Sequence, residues 1–157
     1  MTRLHILAIG RAGRGPEAEL VDDYRRRLAR QGRRVGLGPL EIVELEPRGR
    51  GGRDAEAALL ERHLPKGARI VALDERGKML SSPDLARWIG AVRDGGAGDI
   101  AFLLGGADGL APALRERADL VLSFGPMVWP HLLARAMLSE QLYRATTILA
   151  GTPYHRG

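Results

Sequence analysis

The sequence alternates short apolar runs with longer amphipathic segments along its whole length. A short apolar run is typical of a buried strand, whereas apolar residues that recur every three or four positions are typical of a helix. Strands that alternate with helices predict an α/β domain with a mainly parallel sheet, because parallel strands need a crossover connection. The predicted strands are residues 4–9, 41–46, 69–74, 100–104 and 119–124.

Proline and capping residues mark where helices begin between these strands, because both suit the first turn of a helix. The expected starts are Pro16, Asp54, Ser82 with Pro83, Pro112 and Pro130. The helix from Asp54 is expected to end about His63, and the last helix about Tyr143. The chain contains no linker and no internal repeat, so residues 1–157 are expected to form one domain.

Composition excludes several classes of function. The chain has no cysteine, which excludes disulfides, thiolate-bound zinc and a cysteine nucleophile, and no metal site is expected. No apolar stretch approaches the roughly 18 residues needed to span a bilayer, and the first residues lack the pattern of a signal peptide. We therefore expect a cytoplasmic protein that does not bind membranes.

The charge of the chain is basic and almost wholly due to arginine. Lys and Arg number 24 against 19 Asp and Glu, and only Lys66 and Lys78 are lysines. Arginines cluster in residues 25–34 and 48–53. The planar guanidinium suits phosphate and stacks on bases, which favours a nucleic-acid partner. Charge alone leaves open whether these arginines bind RNA or reflect only a biased composition.

Two segments follow predicted strands at the edge where parallel sheets bind ligands. The first, "LLGGADGL" (103–110), does not match the dinucleotide-binding pattern, and the chain has no P-loop motif, so it is either a plain tight turn or a binding turn. The second, "SFGPMVWPH" (123–131), is apolar and rigid. It either cradles a flat aromatic ligand such as adenine or buries its own side chains in the core.

The helix after Pro130 carries apolar residues on more than one face. Such a helix is either deeply buried or packs against a second subunit. Its charged residues are expected to pair, with Glu140 bonded to Arg144 or to Arg135. The chain then closes with "GTPYHRG" (151–157), which is either a solvated tail or a functional group of side chains.

The segments "LLGGADGL", "LSFGPMVWPHLLARAMLSEQLYRA" and "GTPYHRG" together resemble the family of ribosomal RNA large subunit methyltransferase H. The likeness spans essentially the whole chain. It implies a SPOUT-type fold with a deep C-terminal trefoil knot, and a homodimer. It also implies methylation of N3 of a pseudouridine in 23S rRNA, within the large subunit or the assembled ribosome, with S-adenosylmethionine as cofactor. The competing interpretation is a SPOUT-like dimer that binds RNA or a nucleotide without catalysis.

The resemblance further implies which residues form the site. The cofactor contacts are expected from Leu73, Gly105, Phe124, Gly125, Pro126, Met127, Val128 and Trp129. Pro126 departs from the family pattern and removes one N–H donor. The catalytic group is expected to comprise Glu140, Arg144, Tyr154, His155 and Arg156.

Each residue of the tail has an expected role in the partner subunit's site. Tyr154 is expected to stack on a base and Arg156 to hold a phosphate. His155 is expected to take the proton that leaves N3, with Glu140 as the less accessible alternative.

Overall fold

A computed structural model describes residues 1–157, and five parallel strands form one sheet in the order β2-β1-β4-β3-β5. The strands are β1 (Thr2–Ile9), β2 (Leu37–Leu45), β3 (Arg69–Lys78), β4 (Asp99–Leu104) and β5 (Leu120–Leu122). The helices are α1 (Pro16–Gln31), α2 (Arg53–His63), α3 (Ser82–Asp94), α4 (Pro112–Arg117) and α5 (His131–Ala150), with a 3₁₀ turn at Gly32–Val35. The alternating α/β architecture and its parallel sheet are as predicted.

Helices cover both faces of the sheet. On one face α1, α3 and α5 contribute the fully buried Leu28, Ile89 and Leu138 to the larger apolar layer. On the other face α2 and α4 contribute Leu60 and Leu114. Strands buried on both faces need apolar side chains at successive positions, which explains the continuous apolar runs in the sequence.

Three predicted helix starts are wrong by one or two residues. Pro130 is the N-cap of α5, which begins at His131. The N-cap of α3 is Ser81 rather than Ser82, and its hydroxyl oxygen accepts from the Asp84 backbone N–H at 3.1 Å. Helix α2 follows Gly52 and has no side-chain cap. Asp54 therefore lies in the first turn, where a carboxylate interacts favourably with the helix dipole instead of capping the end.

Helix α5 continues to Ala150, well beyond the predicted end at Tyr143. Thr146 and Thr147 in its last turns disfavour helix by propensity, but they are buried here and their hydroxyls are satisfied. Thr147, for example, donates to the carbonyl of Arg144 at 2.7 Å. Gly151, with φ of 72°, then ends the helix in the left-handed conformation. No helix is both long and apolar enough to cross a membrane.

The second half of β3 leaves β4 and bends around β5. Pairing with β4 ends at Ala72, and Leu122 of β5 then pairs with both Leu73 and Lys78. Residues 74–77 therefore curve around one edge of a very short β5, which ends two residues before the predicted limit of Phe124. This bend places a segment of β3 beside the loop that follows β5.

Gly77 packs directly against β5, and a side chain there has no room. A Cβ atom on Gly77 would lie 2.5 Å from the carbonyl oxygen of Val121. We expect Gly77→Ala to lower the free energy of unfolding by about 2 kcal/mol, because the clash is with backbone that cannot rotate away. Urea denaturation followed by circular dichroism measures this change.

Gly98→Ala is the matched control, because nothing lies within 4 Å of its Cβ position. It should leave the unfolding midpoint nearly unchanged. Equal stability of the two variants would contradict the close packing of β3 on β5.

Candidate functional site

A cavity of about 390 Å³ opens where strands β3, β4 and β5 end. Its walls come from the bent part of β3, from the glycine loop (residues 105–109) after β4, and from the apolar loop (residues 123–130) after β5. The first turn of α5 closes the remaining side with His131 and Ala134. This is the carboxyl edge at which parallel sheets bind ligands, and the volume suits a small organic molecule.

The structure brings the predicted cofactor contacts together around this cavity, with one exception. Those that line it are Leu73, Gly105, Phe124, Gly125, Met127, Val128 and Trp129. Pro126 lies in the same loop but does not line the cavity.

Sequence reasoning missed the polar wall formed by Asp74, Glu75 and Arg76. The Asp74 side chain is only 7% exposed, and its carboxylate accepts from Arg115 of α4 at 3.3 Å. Arg115 also lies 3.5 Å from the carbonyl oxygen of Leu110, at the end of the glycine loop. Arg115 therefore joins two walls of the cavity. The rule that ligands meet strand ends could have pointed to Asp74, but not to the bend that turns it inward.

The glycine loop closes on itself. Gly109 donates its backbone N–H to the carbonyl of Gly106 at 3.0 Å. A Cβ atom on Gly105 would lie 2.7 Å from both the carbonyl carbon and oxygen of Gly109. Glycine at 105 is therefore needed for the loop to close on itself. This requirement is stricter than the need to leave space for a ligand.

The apolar loop does not bury its side chains in the core. Val128 is 86% exposed and Met127 is 69% exposed. Hydrogen bonds within the loop hold its backbone. The Gly125 N–H donates to the Ser123 hydroxyl oxygen at 3.0 Å, and the Trp129 indole N–H donates to the Phe124 carbonyl at 3.4 Å. Of the two interpretations of this segment, the structure therefore favours a cavity-lining loop.

The C-terminal tail folds back on α5 instead of extending into solvent. The Tyr154 hydroxyl donates to Glu140 at 2.6 Å, and Arg144 donates to the same carboxylate at 2.9 Å. Arg144 Nη1 also lies 3.0 Å from His155 Nδ1. The predicted Glu140–Arg144 ion pair is confirmed. We call Glu140, Arg144, Tyr154 and His155 the tail cluster. Arg156 is exposed and has no side-chain partner.

The contacts of the tail cluster fix its protonation. Burial and the bond to Glu140 raise the pKa of Tyr154 above its ordinary range, so its hydroxyl remains a donor. The Glu140 carboxylate raises the pKa of Arg144, which stays charged. Because a guanidinium only donates, Nδ1 of His155 is the acceptor, and a neutral ring carries its proton on Nε2.

Arg135 does not pair with Glu140, contrary to one of the two expectations for that carboxylate. Its side chain is 2% exposed and donates to Glu44 of β2 at 2.5 Å and to the carbonyl of Gly10 at 3.1 Å. Glu44 also accepts the backbone N–H of Ala12 at 2.7 Å. The pair therefore ties the first half of α5 to the carboxyl ends of β1 and β2.

A second cavity, of about 540 Å³, lies between α1 and α5 and is mostly apolar. Leu20, Leu133 and Met79 line it and remain exposed, at 43%, 41% and 72%. Glu140 of the tail cluster lies on its wall. None of the tail residues lines the first cavity, whose last wall residue along the chain is Ala134.

Aromatic rings connect the tail cluster to α1. The Tyr154 ring packs edge-on against Tyr143, with 4.8 Å between ring centroids, and Tyr143 lies 6.1 Å from Tyr24 of α1. The guanidinium of Arg27 sits 5.6 Å from the centroid of Tyr24. Apolar, aromatic and cationic groups therefore form one continuous surface beside the second cavity.

Comparison with known proteins identifies relatives over nearly the full length of the chain. Residues 2–155 match the family described as "Predicted SPOUT methyltransferase". A protein of Roseobacter denitrificans is 58% identical over 98% of this chain and 99% of its own length, and is named "Ribosomal RNA large subunit methyltransferase H". A protein of Paracoccus denitrificans with the same name is also 58% identical, with the same coverage.

Solved structures share the fold at low identity. A probable methyltransferase from Bordetella pertussis Tohama I superposes with a TM-score of 0.54 at 14% identity, covering 92% of this chain and 96% of its own. A probable methylase family protein from Haemophilus influenzae Rd KW20 superposes with a TM-score of 0.52 at 11% identity, covering 99% and 70%. The full-length sequence matches show that the chain belongs to the SPOUT methyltransferases and, within them, to the family of ribosomal RNA large subunit methyltransferase H.

Proposed function

We propose that this protein methylates N3 of a pseudouridine in 23S rRNA, with S-adenosylmethionine as methyl donor. The observation that carries the proposal is the identity of 58% over 98% of the chain to relatives named for large-subunit ribosomal RNA methylation. The proposed substrate is rRNA within the large subunit or the assembled ribosome, and the proposed location is the cytoplasm.

The first cavity has the properties that this cofactor requires. When bound, S-adenosylmethionine supplies a methyl group on a positively charged sulfur. Leu73 and Phe124 offer apolar surface for a flat adenine ring, while the exposed Glu75 places negative charge in the wall that a cationic ligand would meet. We assign the lining residues named above as the cofactor contacts. The C-terminal trefoil knot belongs to the same proposal, supported by the match of residues 2–155 to the SPOUT methyltransferase family.

We propose that the protein is a homodimer in which each tail serves the other subunit. Two observations support this arrangement. The second cavity exposes Leu20, Leu133 and Met79, an apolar surface that a second copy would bury. The tail lies beside that surface and outside the cofactor cavity of its own subunit. A dimer formed across α1 and α5 would carry the tail towards its partner.

Proton removal from N3 is the task that the tail is proposed to perform. His155 is the proposed base, and it can accept a proton on Nδ1 only after Arg144 releases that nitrogen. Glu140 is occupied by Tyr154 and Arg144, so its proposed role is to hold the cluster. Tyr154 stays neutral and can stack on a base or donate a hydrogen bond.

Arginines that lack a carboxylate partner are the proposed contacts to RNA phosphates. Within residues 25–34, the first three arginines pair with Asp22 or Asp23, which reduces the charge they offer. The exposed arginines with no such partner are Arg14, Arg30, Arg33, Arg34, Arg48, Arg50, Arg53, Arg62 and Arg156. These unpaired charges supply the salt-dependent part of RNA affinity.

Mass spectrometry of 23S rRNA tests the function directly. RNA from cells that lack the gene should lose one methyl group from one pseudouridine, and expression of the protein should restore it. A methyl group restored on a different nucleotide would show that the proposed target is wrong. RNA binding by the purified protein without any change in RNA mass would instead support the non-catalytic interpretation.

Gly105→Leu should abolish binding of S-adenosylmethionine, because the side chain meets the backbone of Gly109 and opens the glycine loop. Isothermal titration calorimetry measures the affinity, and circular dichroism checks that the variant is folded. Gly98→Leu is the control, since it makes the same change at the other end of β4 where nothing lies within 4 Å. Unchanged binding by a folded Gly105→Leu protein would remove this loop from the site.

Deletion of residues 154–157 should nearly abolish methylation while leaving cofactor binding intact. The deletion removes the proposed base, two hydrogen bonds to α5 side chains and the packing of the Tyr154 ring on Tyr143, so we expect a loss of stability of about 2–3 kcal/mol. His155→Ala should lower the maximal rate, whereas Arg156→Ala should weaken RNA binding in a salt-dependent way. Methylation by the truncated protein at the full rate would exclude a catalytic role for the tail.

Mixed dimers test which subunit the tail serves. One subunit carries the tail deletion and the other carries Gly105→Leu, so each homodimer is inactive for a different reason. If the tail reaches across the interface, one site in the mixed dimer has both an intact cavity and an intact tail. We expect about half of the activity of a wild-type dimer from its single complete site. A confirmed mixed dimer with no activity would place the tail in its own subunit's site, and a monomer in light scattering would exclude the exchange altogether.

A further inference from the structure

The structure assigns Glu56 a role in positioning the glycine loop of the cofactor cavity. Glu56 lies in the first turn of α2, on the face of the sheet opposite α5, and is not among the residues that line the cavity. Its carboxylate reaches the outer side of the loop. We infer that this contact holds the loop in the shape that admits the cofactor. The identity of that cofactor rests on the proposed function.

The contact between Glu56 and the loop is close on both carboxylate oxygens. Oε1 accepts the backbone N–H of Gly106 at 3.3 Å. Oε2 occupies the place that a side chain on Gly106 would take, because a Cβ atom there would lie 2.7 Å from it. Glycine at 106 therefore has a different purpose from glycine at 105. It lets a carboxylate lie directly against the loop backbone.

The charge of Glu56 is not used elsewhere. The residue is half-buried, and its carboxylate contacts Gly106 and takes part in no ion pair. A carboxylate that accepts from a backbone N–H forms a charge-assisted bond, which is stronger than one between neutral groups. The helix that carries it is fixed by Leu60, which is fully buried in the core. Glu56 is thus a strong acceptor on a rigid element.

The loop needs such a support because it has few others. Residues 107–109 are exposed, and the loop's own closure is the single bond from Gly109 to Gly106. Arg115 holds the far end through the Leu110 carbonyl. Glu56 holds the near end, at the residue where the loop leaves β4. Removing it frees the wall of the cavity without touching any lining side chain.

Three variants test the assignment. Glu56→Ala removes the acceptor, whereas Glu56→Gln keeps an oxygen that can accept from Gly106. Asp54→Ala is the matched control, since it removes a carboxylate from the same helix turn that has no hydrogen-bond partner on the loop. We compare amide hydrogen exchange at residues 105–109 without ligand, the dissociation constant for S-adenosylmethionine, and the steady-state constants for cofactor and RNA.

Glu56→Ala should speed exchange in the loop about tenfold and raise the cofactor dissociation constant about tenfold. Its KM for the cofactor should rise in step, with kcat at saturation and KM for RNA unchanged. Glu56→Gln should restore most of the affinity, and Asp54→Ala should match the wild type. This pattern distinguishes a positioning role from a general loss of stability. A general loss of stability would lower kcat, because less of the protein is active, and would leave the KM values for cofactor and for RNA unchanged.

Two outcomes would overturn the assignment. One is a Glu56→Ala protein with wild-type exchange and affinity. The other is Asp54→Ala producing the same changes, which would indicate a general effect of charge on α2. If the wild-type protein itself failed to bind S-adenosylmethionine, the proposed cofactor would be wrong, and exchange in the unliganded loop would still decide the role of Glu56.

Discussion

The sheet is buried on both faces, and this constraint decides where a ligand can reach its strands. The central strands β1 and β4 pair on both edges and lie beneath helices, so no ligand can reach their faces. Only the strand ends remain accessible. Backbone groups that leave the ladder at the carboxyl edge must find new partners, and loops, side chains or ligands supply them. The cofactor cavity occupies this edge for that reason.

Polar contacts at that edge link elements that the apolar core alone would leave independent. Arg135 is a buried cation whose two terminal nitrogens donate to Glu44 and to the Gly10 carbonyl, while its Nε has no hydrogen-bond partner. Arg115 performs a similar task between β3 and the glycine loop. In each case one arginine binds both a carboxylate and a carbonyl from separate segments. The planar guanidinium with its several donors suits such bridging better than a lysine would.

Whether a feature could be predicted from the sequence depends on how far apart along the chain the residues that cause it lie. The strands and the glycine loop were predicted because their signals lie within a few residues. The end of α5 was missed because buried threonines satisfy their own hydroxyls in a way that propensity does not register. The partner of Arg135 was missed because Glu44 lies 91 residues away. The polar wall at Asp74 depends on the bend of β3 around β5, which no local pattern encodes.

The way Glu56 fills the space beside Gly106 ties two distant positions together in evolution. A Cβ atom at 106 would lie 2.7 Å from the Glu56 carboxylate, so a side chain there would push that flexible group off the loop and break its bond to the Gly106 N–H. Neither site can change freely while the other keeps its residue, so mutations at the two positions are epistatic. A lineage that replaced the glycine would lose the support from α2 in the same step, and the carboxylate at 56 would then have no contact left to preserve.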